Sequence, residues 1–265
     1  MAVIWGLDLK DMQWGKFKGS YMFNQVYHLR KTKMIVYQIA MIFMVCSESV
    51  GTAALSDYVD QQDGIQTRYG LHTENNDIVG IFAYNIFVGI AVATIFGSGF
   101  FFDLFWPERH ESHQVKLAWK ICSVIMCLLT LADAIGLTVI VATGRATIDG
   151  LSNSEAQRYF NLNGIPAPVY RKNAYCVAST VLCWIGMVGT YASTYIMWKS
   201  LAHNDAHGPM AAAYRNKGEE ASVESRTSPN DVLPAAPEPV HTHAPAQTTT
   251  GHPVEPAPEM SQRNV

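Results

Sequence analysis

Cysteine is missing from every segment between the long apolar runs of this 265-residue chain, and histidine is missing from the runs themselves. Cys46, Cys122, Cys127, Cys176 and Cys183 all fall inside the runs, so no disulfide framework is expected to hold the connecting segments. The lack of intramembrane histidine disfavours a four-span haem protein with bis-histidine ligation. No Asn-x-Ser/Thr acceptor occurs, so N-glycosylation is not expected. No C-x-x-C, H-E-x-x-H, G-x-S-x-G or P-loop pattern occurs either. The expectation is therefore a non-enzymatic protein with no cofactor and no metal. A net charge of −3 with only 15% charged residues gives no reason to expect a nucleic-acid partner.

Four stretches are long and apolar: residues 34–55, 78–102, 117–143 and 174–198. A hydrocarbon core of about 30 Å needs about 20 such residues as a helix. None of the four shows a charged face, and all are too long for barrel strands. They predict an all-α integral membrane protein: a four-transmembrane-helix bundle over residues 34–200. Residues 1–33 contain Lys10, Lys16, Lys18, Arg30, Lys31 and Lys33 and no apolar core followed by a cleavage site. The first run is therefore expected to act as its own insertion signal.

Lys and Arg near the run ends predict orientation. The N-terminal segment, the second connection and the C-terminal flank carry most of them, which places both termini in the cytoplasm. The expected location is a multi-pass protein of the plasma membrane or an endomembrane, with the lipid bilayer as first partner. Trp106, Trp119 and Trp198 cluster at one predicted interface, where an apolar ring with a polar N–H is favoured. Lys120 can snorkel to the same level. Residues 1–33 interleave aromatics with lysines, so Trp14, Lys16 and Lys18 are expected to rest on the inner leaflet.

Two further segments have character of their own. Ser152 and Glu155 form an S-x-x-E capping box, followed by Ala156, Tyr159 and Phe160 at helical spacing. A short outer lid helix is expected there, its aromatic side toward the bundle. Nine of the 12 prolines lie beyond residue 200. Residues 201–265 are expected to form a disordered cytoplasmic tail, with His241, His243 and His252 solvated.

Counting 1.5 Å per residue brings polar groups of the four spans to one layer: Glu48 and Asn85 about 10 Å from the outer surface, Asp133 about 15 Å, Ser179 and Thr180 about 8–9 Å. No Lys or Arg is expected at that depth. Small residues share these faces: Gly89, Ala93 and Gly97 below Asn85, Gly136 near Asp133, Gly186 below Ser179. Such rows mark helix packing in membranes, where another backbone can approach. Glu48, Asn85, Asp133, Ser179 and Thr180 thus form a candidate intramembrane polar cluster, either structural or responsive to protons or cations.

The organisation, with four spans, modest loops and a polar tail, resembles M-shaped proteins of the MARVEL type, and its composition is similar to fungal four-span proteins. That resemblance implies membrane organisation or trafficking and carries no catalytic residue. The first outer loop lacks the paired cysteines of claudin-like proteins, and no CCG motif of tetraspanins occurs. The leading expectation is an organising or accessory component that pairs with itself or with other membrane proteins. The alternative is a small transporter or channel-like unit using Glu48, Asn85 and Asp133.

Overall fold

The computed structural model describes residues 3–4, 7–109, 111–164 and 166–216. After a one-turn helix α1 (Gly19–Met22), four long helices follow: α2 (Arg30–Tyr69), α3 (Asn76–Phe105), α4 (His113–Thr143) and, beyond the short α5 (Asn153–Asn163), α6 (Ala174–His207). Each long helix contains a stretch long and apolar enough to cross a membrane. They pack as a ring in the order α2, α3, α4, α6, with α2 diagonal to α4 and α3 diagonal to α6. One end of the ring holds the N-terminal segment and the end of α6 and is called the terminal face. The other is the loop face.

The first helix is far longer than its apolar run. At 1.5 Å per residue its 40 residues measure about 60 Å, twice the hydrocarbon thickness. Residues 56–69, expected as loop, continue α2 because Tyr58, Gln61 and Ile65 recur at i, i+3 and i+7 and are buried. Gly70 ends the helix at φ 68, where its N–H reaches Gln66 O at 2.9 Å.

Around this projecting part the loop face builds a head. The capping box of Ser152 and Glu155 starts α5, as expected. Ala156 and Phe160 are buried, and the helix packs on the extension of α2. Tyr159 meets Tyr69 edge-on at 5.1 Å. The segment preceding α6 is tied to α2: Tyr58 Oη donates to Ala167 O at 3.0 Å and Gln61 Nε2 to Pro166 O at 2.7 Å. Tyr170 Oη donates to Asp77 Oδ1 at 2.7 Å. A two-residue antiparallel ribbon, Thr73–Glu74 with Thr147–Ile148, joins the α2–α3 connection to the α4–α5 connection.

The terminal face is held by charge instead. Arg30, only 2% exposed, donates to Met22 O, Asp103 O and Leu104 O at 3.3, 3.0 and 3.3 Å. Lys16 Nζ adds a bond to Phe105 O at 2.9 Å. These cations satisfy carbonyls that the end of α3 leaves without helical donors. Asp103 pairs with Lys33 at 2.9 Å and with Arg109 at 3.0 Å, and Arg109 reaches Glu111 at 2.6 Å. Lys16 therefore serves as a helix cap, not as the headgroup contact expected of it. Trp14 is 88% exposed and Lys18 exposed. Trp106, Trp119 and Trp198 lie at this end, Trp119 edge-on to Phe102 and Trp198 donating to Ser123 Oγ at 3.1 Å.

The expected tail begins too early at residue 201. No helix breaker precedes Gly208, so α6 runs on to His207, and Lys116 pairs with Asp205. The chain then doubles back beside the N-terminal segment: His28 N donates to Pro209 O at 3.0 Å, and Ala211 N to Val26 O at 2.9 Å. His28 stacks on His203 with centroids 3.6 Å apart, and His203 lies 5.1 Å from His207. The rest of the expected tail, 217–265 with its histidines, lies outside the described residues.

Glycines set how closely the helices approach. A Cβ on Gly189 would stand 3.0 Å from Ala40 N and 3.1 Å from its Cα, so α6 and α2 meet backbone to backbone. The expected row on α3 works differently. Gly89 receives the Glu48 side chain and Gly97 the Met41 sulfur at 3.1 Å, with half-buried Ala93 between them. Gly186 receives Met44 and Gly136 receives Ile81. These are sockets for neighbouring side chains.

Two predictions follow from this packing. Gly→Ala gains about 1 kcal/mol of helix propensity, but overpacking against immovable atoms costs about 1–3 kcal/mol. Gly189→Ala is expected to destabilise the chain in detergent unfolding, whereas Gly97→Ala, opposite a flexible thioether, is neutral or stabilising. The second concerns pH. Burial, then the charges of His203, Lys199, Lys33 and His207, lower the pKa of His28. The folded state thus binds fewer protons, so this contribution is full above the free histidine value of about 6.5 and is lost as pH falls below it. The protection of the His28 and Ala211 amides against exchange, taken relative to the intrinsic rate at each pH, should fall on acidification, and His28→Asn should flatten that response.

Candidate intramembrane polar site

Each helix of the ring contributes a polar side chain at one level. On α2 and α6, Ser47 and Ser179 exchange bonds: Ser47 Oγ donates to Ser179 O and Ser179 Oγ to Ser47 O, both at 2.9 Å. On α3, Asn85 Nδ2 donates to Ser47 Oγ at 3.3 Å and to Asp133 Oδ2 of α4 at 2.7 Å. The Cys183 thiol of α6 points at the same Asp133 oxygen from 3.4 Å. All five residues are buried with no exposed surface. The bonds follow the four sides of the ring in turn, and the circuit is completed by α6, which carries both Ser179 and Cys183.

Local chemistry accounts for the placement. Asn85 lies on the buried stripe of α3 with Phe82, Val88, Gly89 and Val92. Asp133 lies on that of α4 with Met126, Thr130, Ala134 and Leu137. Thr130 donates back to Met126 O at 2.8 Å, removing its hydroxyl from the network. Gly51 makes room: a Cβ there would stand 3.1 Å from Ser179 Oγ and 3.2 Å from Asn85 Oδ1. Asn85 Oδ1 and Asp133 Oδ1 have no hydrogen-bond partner among the described residues.

Three of the five expected members, Asn85, Asp133 and Ser179, are thus brought together. Glu48 is not. Its carboxylate rests in the Gly89 socket, one turn from Asn85 toward the terminal face, with Oε2 buried and unbonded. Thr180 donates to Cys176 O of its own helix at 2.8 Å and leaves the cluster to its neighbour. Ser47 was not anticipated as a member, because the charged Glu48 beside it drew the assignment. Cys183 lies one turn beyond Ser179 on the same row.

The surroundings limit what this arrangement can do. Cavities among the described residues lie elsewhere: one of about 130 Å³ at the terminal face beside Lys33, Asp103 and Arg109, one between the N-terminal segment and the end of α3, and one on the α2–α6 surface beside Trp184 and Val188. None is lined by Asp133 or Asn85. No family model, curated protein or solved structure matches the chain.

A structural knot and a working site respond differently to paired substitution. Removing one partner of a buried bond costs about 1–3 kcal/mol, while replacing both by apolar groups is nearly neutral. Asn85→Leu alone should lower stability in detergent by that amount. The double variant N85L/D133L should recover most of it.

Proposed function

We propose that this chain is a non-enzymatic, multi-pass membrane protein that acts as an organising or accessory component. One observation carries the reading: Ser47, Asn85, Asp133, Ser179 and Cys183 are fully buried and hydrogen-bond across all four sides of the ring, tying the helices to one another. A circuit of that kind fixes helix register and depth without offering a pathway. The parts available to partners are then the two ends. The loop face presents a head braced by Tyr58, Gln61 and Tyr170, and the terminal face presents exposed Trp14 and Lys18.

The resemblance to MARVEL-type proteins points the same way. The Lys and Arg distribution favours cytoplasmic termini, which would turn the head outward or toward a lumen. Pairing with a second copy or with another membrane protein suits the exposed helix faces, where Phe87, Ile90, Val181 and Val188 point outward. The transporter reading finds less support, because Asn85 gives its hydrogen bonds to Asp133 and Ser47 and none joins them to Glu48. Its remaining foothold is the unbonded carboxylate oxygen of Glu48 in the α2–α3 groove.

Reconstitution separates the two readings. Vesicles containing the protein, loaded with a pH-sensitive dye and challenged with proton and potassium gradients, should discharge no faster than empty ones. Glu48→Gln and Asp133→Asn should change nothing. A protein-dependent leak that either variant abolishes would overturn the organising role in favour of transport.

A further inference from the structure

The small ribbon on the loop face places three metal-ligating side chains together. Thr73 pairs with Ile148 and Glu74 with Thr147, and the register continues one step further, with Asp149 N donating to His72 O at 3.1 Å. His72 and Asp149 therefore stand opposite each other across the strands. Glu74 lies two residues from His72, and side chains along a strand alternate in direction. His72, Glu74 and Asp149 consequently share one face, while Thr73 and Ile148 turn to the other and are buried at 0% and 3% exposure. The alternation leaves the shared face open: His72 and Asp149 are exposed and Glu74 half-buried.

The ligand atoms of the three all lie within 4.8 Å of one another. His72 Nε2 and Glu74 Oε1 are 3.4 Å apart. Zinc bonds of about 2.0–2.2 Å to nitrogen and oxygen, in tetrahedral array, give ligand separations of about 3.3–3.6 Å. The imidazole and the first carboxylate already stand at that spacing, and an Asp149 carboxylate oxygen lies within 4.8 Å of both. A plain His72–Glu74 ion pair would require a protonated ring and would leave the Asp149 carboxylate unused. A divalent ion engages all three.

We infer that His72, Glu74 and Asp149 form a binding site for a first-row divalent cation of the zinc type on the loop-face ribbon. The imidazole selects for such ions over magnesium and calcium, which take oxygen ligands. Three protein ligands leave a fourth position to water. Bound there, the ion cross-links the α2–α3 connection to the α4–α5 connection and stiffens the head. This inference does not rest on the organising role or on the orientation of the chain.

The test uses the detergent-solubilised full chain with His241, His243 and His252 replaced by Ala, so that the tail histidines do not contribute. Calorimetric titration with Zn2+ should show a site that weakens about tenfold or more in each of H72A, E74Q and D149N. Amide exchange over residues 73–74 and 147–148 should slow with Zn2+ in the parent and not in D149N. Asp149 is exposed, so that variant keeps its fold. Magnesium at the same concentration should do neither. Zinc binding undiminished by H72A, no zinc-dependent change at the ribbon, or an equal response to Mg2+ would each overturn the assignment.

Discussion

The hydrogen-bond circuit through Ser47, Asn85, Asp133, Ser179 and Cys183 is the constraint on which the rest of the bundle depends. Helices apolar enough to cross a membrane would have, in lipid, no hydrophobic reason to prefer one another, so there packing and interhelical bonds set register. A leucine seam can slide by a turn at little cost. A carboxyl group that must meet an amide, which must meet a hydroxyl, cannot. The α2–α6 side carries two bonds and each other side one, so a shift of any one helix breaks at least two of them. Gly189 against Ala40 then fixes the distance on the α2–α6 side, and the glycine sockets accept the side chains that this register brings opposite them.

Beyond the ring, each end solves a different problem. The terminal face must terminate α3, and α6 runs past it, leaving strong acceptors at the end of α3 close to the apolar core. Arg30 and Lys16 meet those carbonyls, and Lys33 and Arg109 neutralise Asp103. The loop face must instead hold short connections to a helix that runs far beyond its own apolar stretch. It does so with neutral groups: tyrosine hydroxyls and amides of α2 donate to backbone oxygens of residues 166 and 167. The same residues that a topology rule counts as a positive flank are thus engaged in capping, which explains why Lys16 is turned inward while Lys18 is exposed.

Much of this was legible from composition, and the misses have a common physical origin. Run length located the four helices because only a helix satisfies its backbone in lipid. Depth along each run placed Asn85, Asp133 and Ser179 in one layer, since rise per residue is constant. Direction around the helix was not legible. Ser47 precedes Glu48, and Ser179 precedes Thr180; successive residues differ by about 100° in azimuth. On α2 the layer was right and the residue was off by one, because the charged neighbour drew the assignment; on α6 the expectation took both neighbours, and only Ser179 joins the network. The end of α2 was missed for another reason: hydropathy marks where the membrane stops, not where the helix does. The stripe Tyr58, Gln61, Ile65 carried the continuation. The ribbon left no trace, as two residues per strand are too few for an alternating pattern.

Glu48 shows how a small-residue row can be misread. Gly89, Ala93 and Gly97 at four-residue spacing suggest a groove for a neighbouring backbone, yet the backbone contact lies on another side of the ring, at Gly189. What the α3 row supplies is volume: the Glu48 carboxylate occupies the space a Cβ on Gly89 would need. A half-buried acid in that position has its aliphatic stem packed and one oxygen turned inward without a donor. Its depth alone would call for a shared site with Asp133, as the alternative reading assumed. The ring geometry instead gives Asp133 its donor from Asn85 and leaves Glu48 to the groove. The two acids are near in depth and separate in bonding, and it is the bonding that decides whether they act together.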